Sequence, residues 1–105
     1  ATTPRDVGEF LYQIQKGQLI SDKARRIVFD GLYAHTQREG IPKVCEQQTD
    51  CLVANIAHEN KSLRHDAAVV TIGQHQYVVV IMTNNDASWS QMADVSKAVY
   101  ETLQP

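Results

Sequence analysis

The chain has 105 residues, 43% of them apolar and 21% charged, a balance typical of soluble globular domains that excludes collagen-like and disordered readings. That length accommodates one domain core and not two. Ten Lys and Arg against twelve Asp and Glu leave a net charge of -2, which supplies no field to draw in a phosphate backbone or an anionic bilayer, so nucleic acid is not an expected partner.

The longest uninterrupted apolar run, Tyr77 to Met82, has six residues. A membrane helix needs about 20, so no span is expected. The chain opens at Ala1 without a Met and without a basic, apolar targeting stretch, which fits either a removed leader or a start inside a longer gene.

The first element expected is a helix over about 3–16: Thr3 caps it, Pro4 suits the first helical position, and Asp6 complements the positive end of the helix dipole. Val7, Phe10, Leu11 and Ile14 share one face and Gly17 ends the run. A second helix is expected over about 21–38, starting at Ser21, with Ala24, Ile27, Val28 and Leu32 on one side, and stopping near Gly40 and Pro42. Cys45 and Cys51 follow, with five residues between them. A disulfide there would close a short loop, contribute roughly 2 kcal/mol and place the chain in an oxidising compartment; the spacing leaves joined and free cysteines both open. Zinc would need two more ligands, and His35, His58, His65 and His75 form no paired pattern, so neither a metal nor any other cofactor is expected.

From residue 52 the apolar period changes from 3.6 to 2 or to continuous runs, giving strands at about 52–57, 65–72 and 77–83. Gly73-Gln74-His75-Gln76 reads as the turn of a hairpin, and Asn84, Asn85 and Asp86 end the last strand. Ser88 then caps a helix over about 88–103 whose stripe is Trp89, Met92, Val95, Val99 and Leu103. Sequential strands with short links pair antiparallel, so the expected class is α+β: two N-terminal helices, a three-stranded antiparallel sheet, and a C-terminal helix packed on it.

Three stretches together resemble the carboxy-terminal part of the penicillin-recognising serine hydrolases, the class A β-lactamases and D-alanyl-D-alanine peptidases. These are Thr2-Thr3-Pro4-Arg5-Asp6 with its helix and Gly17-Gln18-Leu19-Ile20-Ser21, then Arg64-His65-Asp66-Ala67-Ala68-Val69-Val70, then Tyr77 to Asn84 with the closing helix. Order and spacing agree over nearly the whole chain. The resemblance covers less than half of the usual family domain, whose earlier part would supply two more strands and an all-helical lobe.

The resemblance implies acyl transfer by a serine activated by a lysine one helical turn on, in Ser-x-x-Lys. None of Ser21, Ser62, Ser88, Ser90 and Ser96 has a lysine three residues later, so no catalytic residue is expected in this chain. Ser21-Asp22-Lys23 echoes the family's Ser-Asp-Asn and reads as a helix start. Counting back eight residues from Arg64, the family's Lys-Thr-Gly falls on Ile56, Ala57 and His58, a degenerate motif that has lost charge, hydroxyl and glycine. A rival placement on Lys61-Ser62-Leu63 leaves no room for the turn before Arg64, so Lys61 reads as a solvated turn residue. Arg64 is the one matched residue able to hold a substrate carboxylate. Asp66 reads as a structural acceptor of backbone hydrogen bonds.

Three functional readings follow. The first is a non-catalytic β-lactamase-like or penicillin-binding-protein-like domain, extracytoplasmic, acting in recognition or association near the cell wall, with peptidoglycan or a β-lactam-like molecule as candidate ligand. The second is the carboxy-terminal piece of a serine hydrolase whose nucleophile lies in another segment or chain. The third is an unrelated α+β interaction module. If the two strands and the lobe are absent, one strand edge and one apolar sheet face are exposed, and such surfaces are expected to recruit a second copy or a protein partner.

Overall fold

A computed structural model describes residues 3–17, 19–35, 37–46, 48–60, 63–83 and 87–103, with the side chain of Asn60 excepted. The elements are α1 (Pro4–Gln15), α2 (Asp22–Tyr33), a 3₁₀ turn (Ile41–Cys45), β1 (Cys51–Asn60), β2 (Leu63–Ile72), β3 (His75–Met82) and α3 (Trp89–Leu103). Each α-helix starts on a hydroxyl cap: Thr3 accepts from Asp6 N–H, Ser21 from Ala24 N–H and Ser88 from Gln91 N–H. At α3 the Gln91 amide oxygen accepts from Ser88 N–H in return, a reciprocal box that satisfies two otherwise orphaned donors. Gly17, at φ 75, lets the chain leave α1 in a left-handed conformation that a side chain disfavours.

The second helix is shorter than the sequence suggests, ending at Tyr33 and not near 38. The cause is Arg38, whose guanidinium donates to the Tyr33 carbonyl at the helix end and to Val53 O and Asn55 Oδ1 on β1. These bonds draw the connecting segment onto the sheet. The 3₁₀ turn was not expected; at five residues it is too short to show a period, yet it buries Ile41, Pro42 and Val44.

The sheet is antiparallel in the order β1-β2-β3. All three strands run longer than the sequence pattern indicates, because their ends carry polar residues that keep pairing after the apolar runs stop. β1 and β2 pair from Cys51 opposite Ile72 to Asn60 opposite Leu63. His75 and Gln76, read from sequence as turn residues, pair with Ile72 and Thr71, so the β2–β3 connection is Gly73-Gln74 alone. Gly73, at φ 61 in the first central position, suits a type II′ hairpin. Lys61, read above as a turn residue, its neighbour Ser62, and Asn84–Asp86, read as the end of the last strand, lie outside the described residues.

One sheet face, through Ala54, Ala67 and Val69, packs on Leu11 and Ile14 of α1 and Phe29 and Leu32 of α2. The other, through Val53, Ala68, Val70 and Val79, packs on Ile41 and Val44, with Val99 and Tyr100 of α3 alongside. The helical stripes therefore differ from expectation. In α2 Phe29 and Leu32 turn inward while Ile27 and Val28 are exposed, and in α3 Met92, Ala93 and Ser96 are buried while Val95 and Leu103 are not. Cys45 and Cys51 form a disulfide, Cα atoms 5.4 Å apart, that ties the 3₁₀ turn to the start of β1.

Candidate functional site

The residues singled out from sequence lie on the β1–β2 hairpin. Ile56 stands opposite Ala67, Ala57 opposite Asp66, His58 opposite His65 and Glu59 opposite Arg64. Strand alternation puts Ile56 and His58 on the α1 side, where with Val7, His65 and Met82 they line an apolar recess of about 120 Å³. Ala57, Glu59, Arg64 and Asp66 belong to the opposite face. The hairpin thus sends the three motif positions to two sides of the sheet.

Arg64 is engaged within the chain. Its Nη1 donates to Ala87 O at 2.9 Å, and its Nε lies 3.4 Å from Glu59 Oε1. The same Glu59 oxygen accepts from Trp89 Nε1 at 3.1 Å. The arginine side chain is 23% exposed, so its charge meets a carboxylate of its own strand pair at the edge of solvent. Thr83 brackets the backbone here: its hydroxyl donates to Arg64 O, and Arg64 N–H donates to Thr83 Oγ1.

Asp66 is 1% exposed. Its Oδ2 accepts from Ile41 N–H at 2.9 Å and its Oδ1 from Asn55 Nδ2 at 3.0 Å. Burial holds its carboxyl above the ordinary aspartate range, and the hydrogen bonds from Asn55 and Ile41 pull the other way without overcoming it. Asn55, fully buried, also donates to Gln37 O, and Ile41 O accepts from Ser96 Oγ. Gly40 allows this closeness: a Cβ there would stand 2.8 Å from Asp66 Oδ2.

The outer edge of β1 is met by the segment after α2. Ala57 N–H donates to His35 Nε2 at 3.2 Å, and Val53 O accepts from Arg38. Ser21 and Ser88 serve as caps and Ser96 is engaged with Ile41 O. Sequence reasoning missed His35, Arg38, Gly40, Asn55, Glu59 and Trp89. The available signal was Asn55, an amide inside the apolar run Val53-Ala54-Asn55-Ile56, which must find partners if the strand is buried.

A family model described as the beta-lactamase enzyme family matches residues 1–103. The chain belongs to that family. An unrelated α+β module is thereby excluded, and β1 does lie beside β2 as the family reading requires. Among solved structures, PBP-A superposes with a TM-score of 0.84 at 19% identity over 98% of this chain. A beta-lactamase from Sphaerobacter thermophilus DSM 20745 gives 0.84 at 14% over 96%, and one from Streptosporangium roseum 0.77 at 20% over 97%. The chain spans 40%, 40% and 41% of those three proteins. No curated protein sequence matches it significantly. The fold is that of a partial β-lactamase domain, and no described helix is long and apolar enough to cross a membrane.

Proposed function

We propose that this chain is a non-catalytic β-lactamase-like, penicillin-binding-protein-like domain acting in extracytoplasmic recognition or association near the cell wall, with peptidoglycan or a β-lactam-like molecule as candidate ligand. The observation that carries this reading is the β1–β2 hairpin. Where the family's Lys-Thr-Gly would lie stand Ile56, Ala57 and His58; Ala57 N–H is bonded to His35, and Arg64 already has Glu59 as its counter-ion. A substrate carboxylate would have to displace that internal one. In this reading Asp66 has a structural role, and the Cys45–Cys51 disulfide fits an oxidising compartment.

Incubation with penicillin followed by intact-mass measurement tests it. The chain is expected to gain no covalent adduct, and a stoichiometric one would refute the reading. A second reading, the carboxy-terminal piece of an active serine hydrolase, is favoured by the 40% span of PBP-A, a mutant of which has been solved as an acyl-enzyme complex with penicillin G. The triple variant Ile56→Lys, Ala57→Thr, His58→Gly separates the two. If a complete assembly carrying a Ser-x-x-Lys segment acylates without these changes, the chain is part of a working enzyme; if it acylates only with them, its own edge is inactive.

A further inference from the structure

The segment after α2 runs along the outer edge of β1 in the opposite sense to the strand. Arg38 donates to Val53 O, Gln37 O accepts from the Asn55 side chain, and His35 Nε2 accepts from Ala57 N–H at 3.2 Å. Val53 and Ala57 share strand parity, so alternation turns the backbone of both toward this segment and away from β2. Every group in these contacts lies within residues 33–57.

The two ends of this strap differ in chemistry. Arg38 keeps its charge across the working pH range, and its guanidinium also holds Tyr33 O and Asn55 Oδ1. His35 can bond Ala57 N–H only while its Nε2 carries no proton. Once protonated, the imidazole has two donors and no acceptor, and two donors face each other at position 57.

The charged and titratable groups on the elements that meet the segment are Asp30 in the last turn of α2, Lys43 on the 3₁₀ turn, His58 and Glu59 on β1, and Arg64, His65 and Asp66 on β2, with Arg38 and Glu39 on the segment itself. Glu59 is held by Arg64 and Trp89, Glu39 by Lys43, and the two Asp66 oxygens by Ile41 and Asn55. Asp66 is the carboxylate whose charge is coupled to that of His35.

We propose that His35 is a pH-operated latch on the β1 edge: neutral, it closes the strap over Ala57; protonated, it frees that end while Arg38 holds the other. Ala57 is the middle position of the degenerate motif, so its backbone donor is occupied at neutral pH and open in acid. The latch regulates the same edge on which the proposed function relies, yet it stands on the hydrogen bond itself. A penicillin adduct would overturn that function and leave the latch untouched.

Amide exchange followed by NMR, corrected for the intrinsic pH dependence of exchange, tests it. From about pH 8 to about pH 5 the Ala57 amide is expected to lose at least about 10-fold in protection, in step with the ring nitrogen shifts of His35, while the Val70 amide on the central strand keeps its protection. His35→Gln supplies a side-chain oxygen that accepts without titrating, and should protect Ala57 equally at both pH values; His35→Phe should leave it unprotected at both. A His35 ring still neutral at about pH 5 overturns the proposal, as does one that protonates with no change at Ala57. So does a loss that His35→Gln shares, which assigns it to His58 or His65, and so does a loss that Val70 shares, which is unfolding of the whole sheet.

Discussion

Replacing Asp66 with Ala removes the acceptor at the centre of the buried polar cluster. Two donors point at that carboxylate, Ile41 N–H at 2.9 Å and Asn55 Nδ2 at 3.0 Å, and both residues have no exposed surface. The Asn55 amide keeps Gln37 O, so the backbone donor of Ile41 is the group left without a partner. Orphaning it costs about 1–3 kcal/mol, and the vacated side-chain volume adds about 1 kcal/mol. Relief of the buried charge offsets part of this, leaving a net loss of about 2–3 kcal/mol. In a domain of this size that lowers the melting temperature by about 10–20 °C at neutral pH. Asp66→Asn keeps an acceptor for Ile41 and is expected to lose about half as much. Thermal unfolding followed by circular dichroism reads the shift, with urea titration giving the free energy. A melting temperature for the Ala variant within about 3 °C of the parent would refute the reasoning.

The same residue carries a pH signature. Its carboxyl titrates above the ordinary value of 3.8, so the folded state holds a proton that the unfolded chain has released. Its contribution to stability is therefore fullest below 3.8, falls as pH rises toward the folded value, and is constant beyond it. The stability gap between parent and Asp66→Ala should narrow over that window, and a gap that widens with pH would contradict the sign.

Gly40→Ala forces a Cβ to 2.8 Å from Asp66 Oδ2 and 3.2 Å from Trp89; a loss of about 1–3 kcal/mol by urea titration is expected. Gly31→Ala, inside α2 with nothing within 4 Å, should instead gain about 0.5–1 kcal/mol in the same assay, and equal effects at both glycines would remove the steric argument. Replacing both Cys45 and Cys51 with Ser opens the loop between the 3₁₀ turn and β1 and should cost roughly 2 kcal/mol, measured against the oxidised parent. The Tyr77 hydroxyl is buried without a partner among the described residues, and burial raises its pKa, so Tyr77→Phe should be neutral or stabilise by up to about 1 kcal/mol; a clear loss would show that the hydroxyl has an acceptor.

The order of elements and the antiparallel sheet were legible because period and capping residues are local. Thr3, Ser21 and Ser88 announce their helices within four residues. The course of residues 34–45 was not legible, because bonds to β1 and β2 decide it: Arg38 reaches 15 and 17 residues along the chain and Ile41 reaches 25. The apolar stripes were read too broadly for a related reason. Phe10, Ile27, Val95 and Leu103 are exposed, so the apolar surface exceeds what these 105 residues can cover. Within the candidate site, Arg64 stood out in sequence, but the carboxylate that meets it did not. Glu59 becomes its neighbour through the register that sets residue 59 against 64.

The three strands form a meander whose links are short, so the sheet can assemble from contacts close along the chain at little loop-closure cost. The clasp between Ser96 and Ile41, 55 residues apart, and the bond between Gln15 and Gln76, 61 apart, close much longer loops. Sheet assembly ahead of helix docking follows from that ordering. A defect in the Gly73 turn should then slow refolding, and one at Ser96 should chiefly hasten unfolding, a separation visible in the two arms of a chevron plot. The helices of this chain would act as latches on a sheet that forms first.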